Sequence, residues 1–180
     1  MKIKTRVCCI LCKFLVGMPF TACMHDNKGS SGTDGISLSS VQQKVKDALG
    51  DDYVPDQSLD DAALEQLYGI KAEDLEEYSA EISSMSAHVD QFAAFKAKPD
   101  RADAVEQALR DYRERLVEDT MQYPSNIAKI NASEVLRHGQ YVFFLMLGAI
   151  NDDVEMEEEE QIAFAKKENK KAVDAVNSCF

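Results

Sequence analysis

The groups able to do chemistry in this chain of 180 residues are few and scattered: three histidines, His25, His88 and His138, five cysteines, and an excess of carboxylates. A zinc site needs several ligands brought to one tetrahedron, and a serine or cysteine nucleophile needs a positioned base and oxyanion donors. No spacing here supplies either. His88 and His138 are therefore read as turn histidines, and no catalytic residue, cofactor or metal ligand is assigned. Asp152, Asp153, Glu155 and the run Glu157 to Glu160 offer the oxygens that calcium takes. They lack the alternating acids and central glycine of a tight calcium loop, and a helix would spread them around its axis, so a solvated segment with weak attraction for cations is expected. Glycoside cleavage needs two facing carboxylates, and 32 acids cannot be narrowed to a pair without geometry. There is no phosphate loop and no dinucleotide fingerprint.

The cysteines say more by position than by reactivity. Cys8, Cys9 and Cys12 lie in the apolar run VCCILCKFLVGMPFTA, residues 7–22, behind the basic start Lys2, Lys4, Arg6. This is secretory-signal architecture. The run is shorter than the roughly 20 apolar residues of a membrane span, and Lys13 and Pro19 interrupt it. Cys8 and Cys12 lack the second ligand pair of a metal site. Phe20-Thr21-Ala22-Cys23 resembles a bacterial lipobox, although Phe20 and Lys13 depart from the usual pattern. Small residues let the backbone lie extended in a peptidase, and the Cys23 thiol is the nucleophile for a thioether to lipid. The following MHDNKGSSGTDG suits a flexible tether. The expected organisation is a signal peptide at 1–22, a tether at 23–36 opened by lipidated Cys23, one domain at 37–150 and a tail at 151–180. Cys179 then has no partner for an intramolecular disulfide and no neighbour in sequence to activate it.

A hydrophobic content of 45% suffices for a core. The formal charge is −12, and residues 1–22 hold four of the 20 basic residues and no acid, so the remainder is still more acidic. Nucleic-acid affinity rests on Lys and Arg displacing counterions, which excludes nucleic acid as a partner.

Spacing predicts the elements that must position any site. Leu38, Val41, Val45 and Leu49 mark a helix stopped by Gly50; Ser58 and Asp61 open a second, with Leu64, Leu67 and Tyr68 on one face and Gly69 at its end. Two strands fill 75–98, turning at Ser84 to Ala87. Pro99 ends them, Asp100 caps a helix striped by Val105, Leu109, Tyr112 and Leu116, and Glu106, Arg110, Arg113, Glu114 and Arg115 form its solvated face. Tyr123-Pro124 breaks that helix and a polar loop runs to Asn131. His138-Gly139 turns a hairpin whose arm QYVFFLML, apolar on both faces, belongs mid-sheet. Acids followed by lysines in 151–180 suit a terminal helix with a weak apolar stripe, docked loosely or partly disordered. The expected fold is α+β: an antiparallel sheet of about four strands in ββαββ order, two preceding short helices, one main packing helix and a helical tail. Tyr123 and Tyr141 are read as core aromatics, and are the first to test in any binding surface.

Four segments together carry a family resemblance: Ile70 to Tyr78, the Ala- and Phe-rich strand ending in Lys96 and Lys98, Gln122-Tyr123-Pro124, and His138-Gly139-Gln140-Tyr141-Val142. Over residues 50–150 the chain resembles small clostridial-type Gram-positive lipoproteins grouped as domain of unknown function 4358. The resemblance implies a place on the outer face of the cell membrane and an accessory role beside cell-surface O-acylation machinery, without implying a mechanism. The expectation is a non-catalytic, lipid-anchored protein that binds an envelope protein or glycan. An envelope-modifying enzyme with dispersed carboxylates and a small-solute binding lipoprotein are the alternatives.

Overall fold

The stripe Leu38, Val41, Val45 and Leu49 forms the buried face of helix α1 (Leu38–Leu49), with Gly50 at its carboxyl end. The computed structural model describes residues 35–119, 121–151, 153 and 155–180, which belong to one compact unit. After α1 come strand β1 (Gln57–Ser58), helix α2 (Asp61–Tyr68), strands β2 (Leu75–Ile82) and β3 (Gln91–Ala97), helices α3 (Ala102–Glu118) and α4 (Pro124–Ala132), strands β4 (Glu134–His138) and β5 (Tyr141–Met146), and helix α5 (Glu158–Asn177). The mixed fold therefore has five described helices and one antiparallel sheet of five described strands, ordered β1-β2-β3-β5-β4. Among the described residues no helix is long and apolar enough to cross a membrane.

Alternation of side chains along the strands sends successive residues to opposite faces, and both faces are covered. Ala93, Phe95, Val142 and Phe144 pack with Leu64 and Tyr68 of α2 and Leu109 and Tyr112 of α3. Phe92, Ala94, Phe143 and Leu145 pack with α1 and with Ala172, Val173 and Val176 of α5. β5 is buried along its whole length, as its two-sided apolar run requires. Gly139 turns the β4–β5 hairpin at φ 63°, a conformation in which a side chain is strained.

Several expectations need correction. The sheet has five strands rather than about four, because Gln57 and Ser58 add a short edge to β2. Ser58 thus lies in a strand, and Asp60 caps α2 by accepting from the Ala63 N–H at 2.8 Å. Asp100 does not cap α3, which follows Arg101 without a side-chain cap. A further helix, α4, occupies most of the segment expected to be a loop, so the order is no longer ββαββ. Pro124 ends nothing there: at the first position of a helix its missing N–H is no loss and its fixed φ is already helical. Nor is there one main packing helix, since α1 and α5 cover one face and α2 and α3 the other. The α5 segment docks firmly. Asn169 on α5 accepts from the Leu147 N–H and donates to the Leu145 and Ala132 carbonyls. Gly148 passes so close that a Cβ there would meet the Glu168 Cβ at 2.8 Å.

Candidate functional site

At the end of the sheet where β3 begins and β5 finishes, three connections come together: the β2–β3 loop, the α3–α4 loop and the β5–α5 segment. Between them lies a cleft of about 480 Å³, lined by His88, Tyr123, Ser125, Asn151, Asp153 and Gln161 among others. Its size is that of small-ligand sites, generally about 300–1,000 Å³.

Helix α4 builds the floor. Asn126 and Lys129, one turn apart, face the β2–β3 loop together. The Asn126 amide donates to the Ala87 carbonyl at 3.1 Å, and the Lys129 ammonium donates to Asp90 Oδ1. Asp90 is 0% exposed and Lys129 3%, so this ion pair is fully withdrawn from water. Burial pushes the Asp90 carboxyl above the usual carboxylate range, against the opposing pull of Lys129 and, less strongly, His88.

His88 sits between the two held residues, with its side chain 27% exposed. Its Nδ1 lies 3.6 Å from Asp90 Oδ2, and neither atom has a hydrogen-bond partner at that distance. A carboxylate facing Nδ1 favours the tautomer protonated there, which is assigned on that ground and leaves Nε2 as an acceptor. Asn126 Oδ1 is also buried without a partner. Beneath this cluster, Gln91 bonds the hydroxyls of Tyr68 at 3.1 Å and Tyr112 at 2.8 Å. Burial raises both phenols, most strongly Tyr68, so they stay neutral.

The walls present groups with spare hydrogen-bonding capacity. Ser125 is the second residue of α4, where its backbone N–H and that of Asn126 have no intrahelical acceptor. Asn151 accepts from the Asp153 N–H at 2.9 Å, and Asp153 Oδ1 accepts from the Glu155 N–H at 3.0 Å, which leaves Asp153 Oδ2 open among the described residues. Gln161 donates to the Met156 carbonyl at 3.1 Å, and its own oxygen has no donor among the described residues. Tyr123 at the lip is 68% exposed, and Met121 beside it 91%. Such a cleft can recognise a ligand. Among the described residues no hydrogen bond joins His88 to a hydroxyl or thiol nucleophile.

A family model, Domain of unknown function (DUF4358), matches residues 48–147, more than half of the chain. The chain belongs to this family. No curated protein and no solved structure matches it. The DUF4358 span contains His88, Asp90, Tyr123, Ser125, Asn126 and Lys129. Asn151, Asp153 and Gln161 lie beyond it, so this DUF4358 member closes its cleft with residues from outside the matched region.

Cys23, His25, Asp152 and the expected signal segment 1–22 lie outside the described residues, as does nearly all of the expected tether. The two remaining histidines fall at opposite ends of the sheet. His138 bonds Asn177 at 2.9 Å and stacks on Phe180 with ring centroids 4.4 Å apart. Tyr141 is buried, as expected, whereas Tyr123 is not in the core at all. Cys179 is partly buried, its thiol donating to the Ala175 carbonyl at 3.4 Å. Glu158, Glu159 and Glu160 open α5 as exposed acids, and no group of three candidate ligands for a metal occurs among the described residues. Asp90, Asn126 and Lys129 were not singled out by sequence reasoning. The one available signal was local: Asp90 stands at the threshold of the apolar strand QFAAFKA, where a buried acid demands a partner.

Proposed function

We propose that this DUF4358 protein is a bacterial lipoprotein, exported and anchored through lipidated Cys23 on the outer face of the membrane, where it binds an envelope protein or glycan without catalysing a reaction. The proposed organisation is a signal peptide at 1–22, a tether at 23–36 and a folded body beyond. The single observation that carries the binding reading is the open cleft, with polar groups in its walls and an exposed tyrosine at its lip. The lipobox-like Phe20-Thr21-Ala22-Cys23 supports the location. O-acylation machinery of the cell surface is the partner we favour, on the strength of the family resemblance.

Crosslinking in intact cells with the tagged full chain, followed by mass spectrometry, tests both parts against Cys23→Ala and Tyr123→Ala controls. The expected result is an envelope enzyme or glycan recovered with the native chain and lost with either variant. Equal recovery with Cys23→Ala removes the anchor from the reading, and equal recovery with Tyr123→Ala removes the cleft. The Asp90–His88 alignment favours an enzyme as the second reading, in which His88 serves as a base. Turnover of acylated envelope glycans by the purified chain, abolished in His88→Gln, would replace the first reading with the second.

A further inference from the structure

The binding reading leaves open what the cleft takes, and the chemistry of its walls narrows the answer. An anionic ligand finds no free cation among the described lining residues, because the nearby Lys129 is committed to Asp90, and it meets the Asp153 carboxylate in a chain of net charge −12. The Asp153 carboxylate and the positive amino end of α4 face the same cleft with opposite signs, so a ligand charged either way meets a repelling group beside each attracting one. A purely apolar ligand would cover Ala87, Tyr123, Pro124 and Ile150, but it would strip water from His88, Ser125, Asn151, Asp153 and Gln161 and return no hydrogen bond to them. What remains is a ligand that both donates and accepts, carries no charge and has an apolar face for Tyr123. Hydroxyl groups on a saturated ring have those properties: the axial C–H face of a sugar lies on an aromatic ring while its hydroxyls bond planar amide, carboxylate and imidazole groups.

We infer that the cleft is a binding site for a neutral saccharide. Tyr123 stacks on a sugar ring at the lip; Asp153 Oδ2, Gln161 Oε1 and His88 Nε2 accept from its hydroxyls; and the Ser125 hydroxyl and the amino-end N–H groups of α4 donate to its oxygens. Asp90 sets the His88 tautomer, and Lys129 and Asn126 are positioning residues that fix the loop carrying it.

The test uses the full chain in detergent, with saturation-transfer NMR and calorimetry. The probes are neutral oligosaccharides, chitotetraose in its N-acetylated form and maltotetraose, set against glucuronate, the de-acetylated amino oligosaccharide and cyclohexanol. At least one neutral oligosaccharide is expected to bind about tenfold tighter than any charged or apolar probe, with Tyr123→Ala weakening it about tenfold and Asp153→Asn about fivefold. Both side chains are exposed, and retention of the wild-type unfolding midpoint shows that the fold is kept. No binding of either oligosaccharide, preference for a charged or apolar probe, or unchanged affinity in both variants overturns the inference. It rests on the binding reading, but the two fail separately: partner capture in cells that depends on Tyr123, with no saccharide binding, leaves the reading standing and removes only the sugar.

Discussion

The two ends of the sheet carry one histidine each and treat it in opposite ways. At the hairpin end His138 is bonded through Nε2 to Asn177 and stacked under Phe180, whose ring also meets Tyr141 and Phe143 at centroid distances of 5.2 and 5.9 Å. At the cleft end His88 has its Nδ1 turned to a buried carboxylate beyond hydrogen-bond distance, and nothing seals the ring from solvent. Their acids differ as well. Glu106, beside the hairpin, lies under Arg110 and Arg137, which hold its carboxyl below the usual range, whereas Asp90 is pushed above it by burial. An end built for stability satisfies its polar groups. The cleft end withdraws an ion pair from water and leaves the buried Asp90 Oδ2 and Asn126 Oδ1 without donors among the described residues, a departure from full satisfaction of the kind that functional sites carry at a cost in stability.

The contrast is open to direct attack. Lys129→Met leaves Asp90 buried and unpaired, and should cost about 3–5 kcal/mol in urea unfolding. The double variant Asp90→Leu with Lys129→Met should recover most of that loss, since the desolvation of both charges disappears together. A single-variant loss below about 1 kcal/mol would show that the pair is not withdrawn from water as its burial implies. Phe180→Ala at the other end removes ring contacts from a partly exposed site and should cost about 1–2 kcal/mol, read as a lower unfolding temperature.

Smaller effects sharpen the comparison through pH. Glu106 has a depressed folded-state pKa, so its contribution is present above the ordinary carboxyl range and lost as the pH falls through the folded value. Glu106→Gln should flatten the acid-side loss, by less than about 1 kcal/mol because its partners are partly exposed. Asp90 has the opposite sign: its contribution is full below the ordinary carboxyl range and lost as the pH rises through the raised value. Opposite changes of slope in Glu106→Gln and Asp90→Asn are the expected outcome, and parallel changes would erase the distinction between the two ends. Smallest of all, His88→Gln should move stability by no more than about 0.5 kcal/mol while reducing ligand affinity.

What the sequence made legible follows from which forces leave a pattern. Helix α1, the Val105, Leu109 and Tyr112 stripe, the His138-Gly139 turn and the central place of β5 are all written in hydrophobic periodicity or turn chemistry, and all are present. Helix α4 was missed because PSNIAKINA buries Asn126 and Lys129 along with Ala128, Ile130 and Ala132, so burial and hydropathy part company there. Helix α5 reads weakly for a related reason: Asn169 lies inward among small residues and works by hydrogen bonds to the sheet. The site was hidden by the same rule. Asp90 and Lys129 are 39 residues apart, and an ion pair formed by tertiary folding has no period to detect. Tyr123 was misplaced because an aromatic residue beside proline looks the same in sequence whether it faces a core or a solvent-filled lip.

The bond from the Tyr141 hydroxyl to the Ile36 carbonyl at 3.2 Å has a mechanical consequence. It fastens the point where the chain enters the domain to a central strand at the hairpin end, close to where Phe180 finishes the chain. Tension applied through the amino-terminal segment would pass first into that bond and into the start of α1, where the Leu38 N–H is held by Glu77 at 3.2 Å. The opposite end, with its three loops, would stay out of the path of the force. The grip at Ile36 and the cleft lie at opposite ends of the sheet.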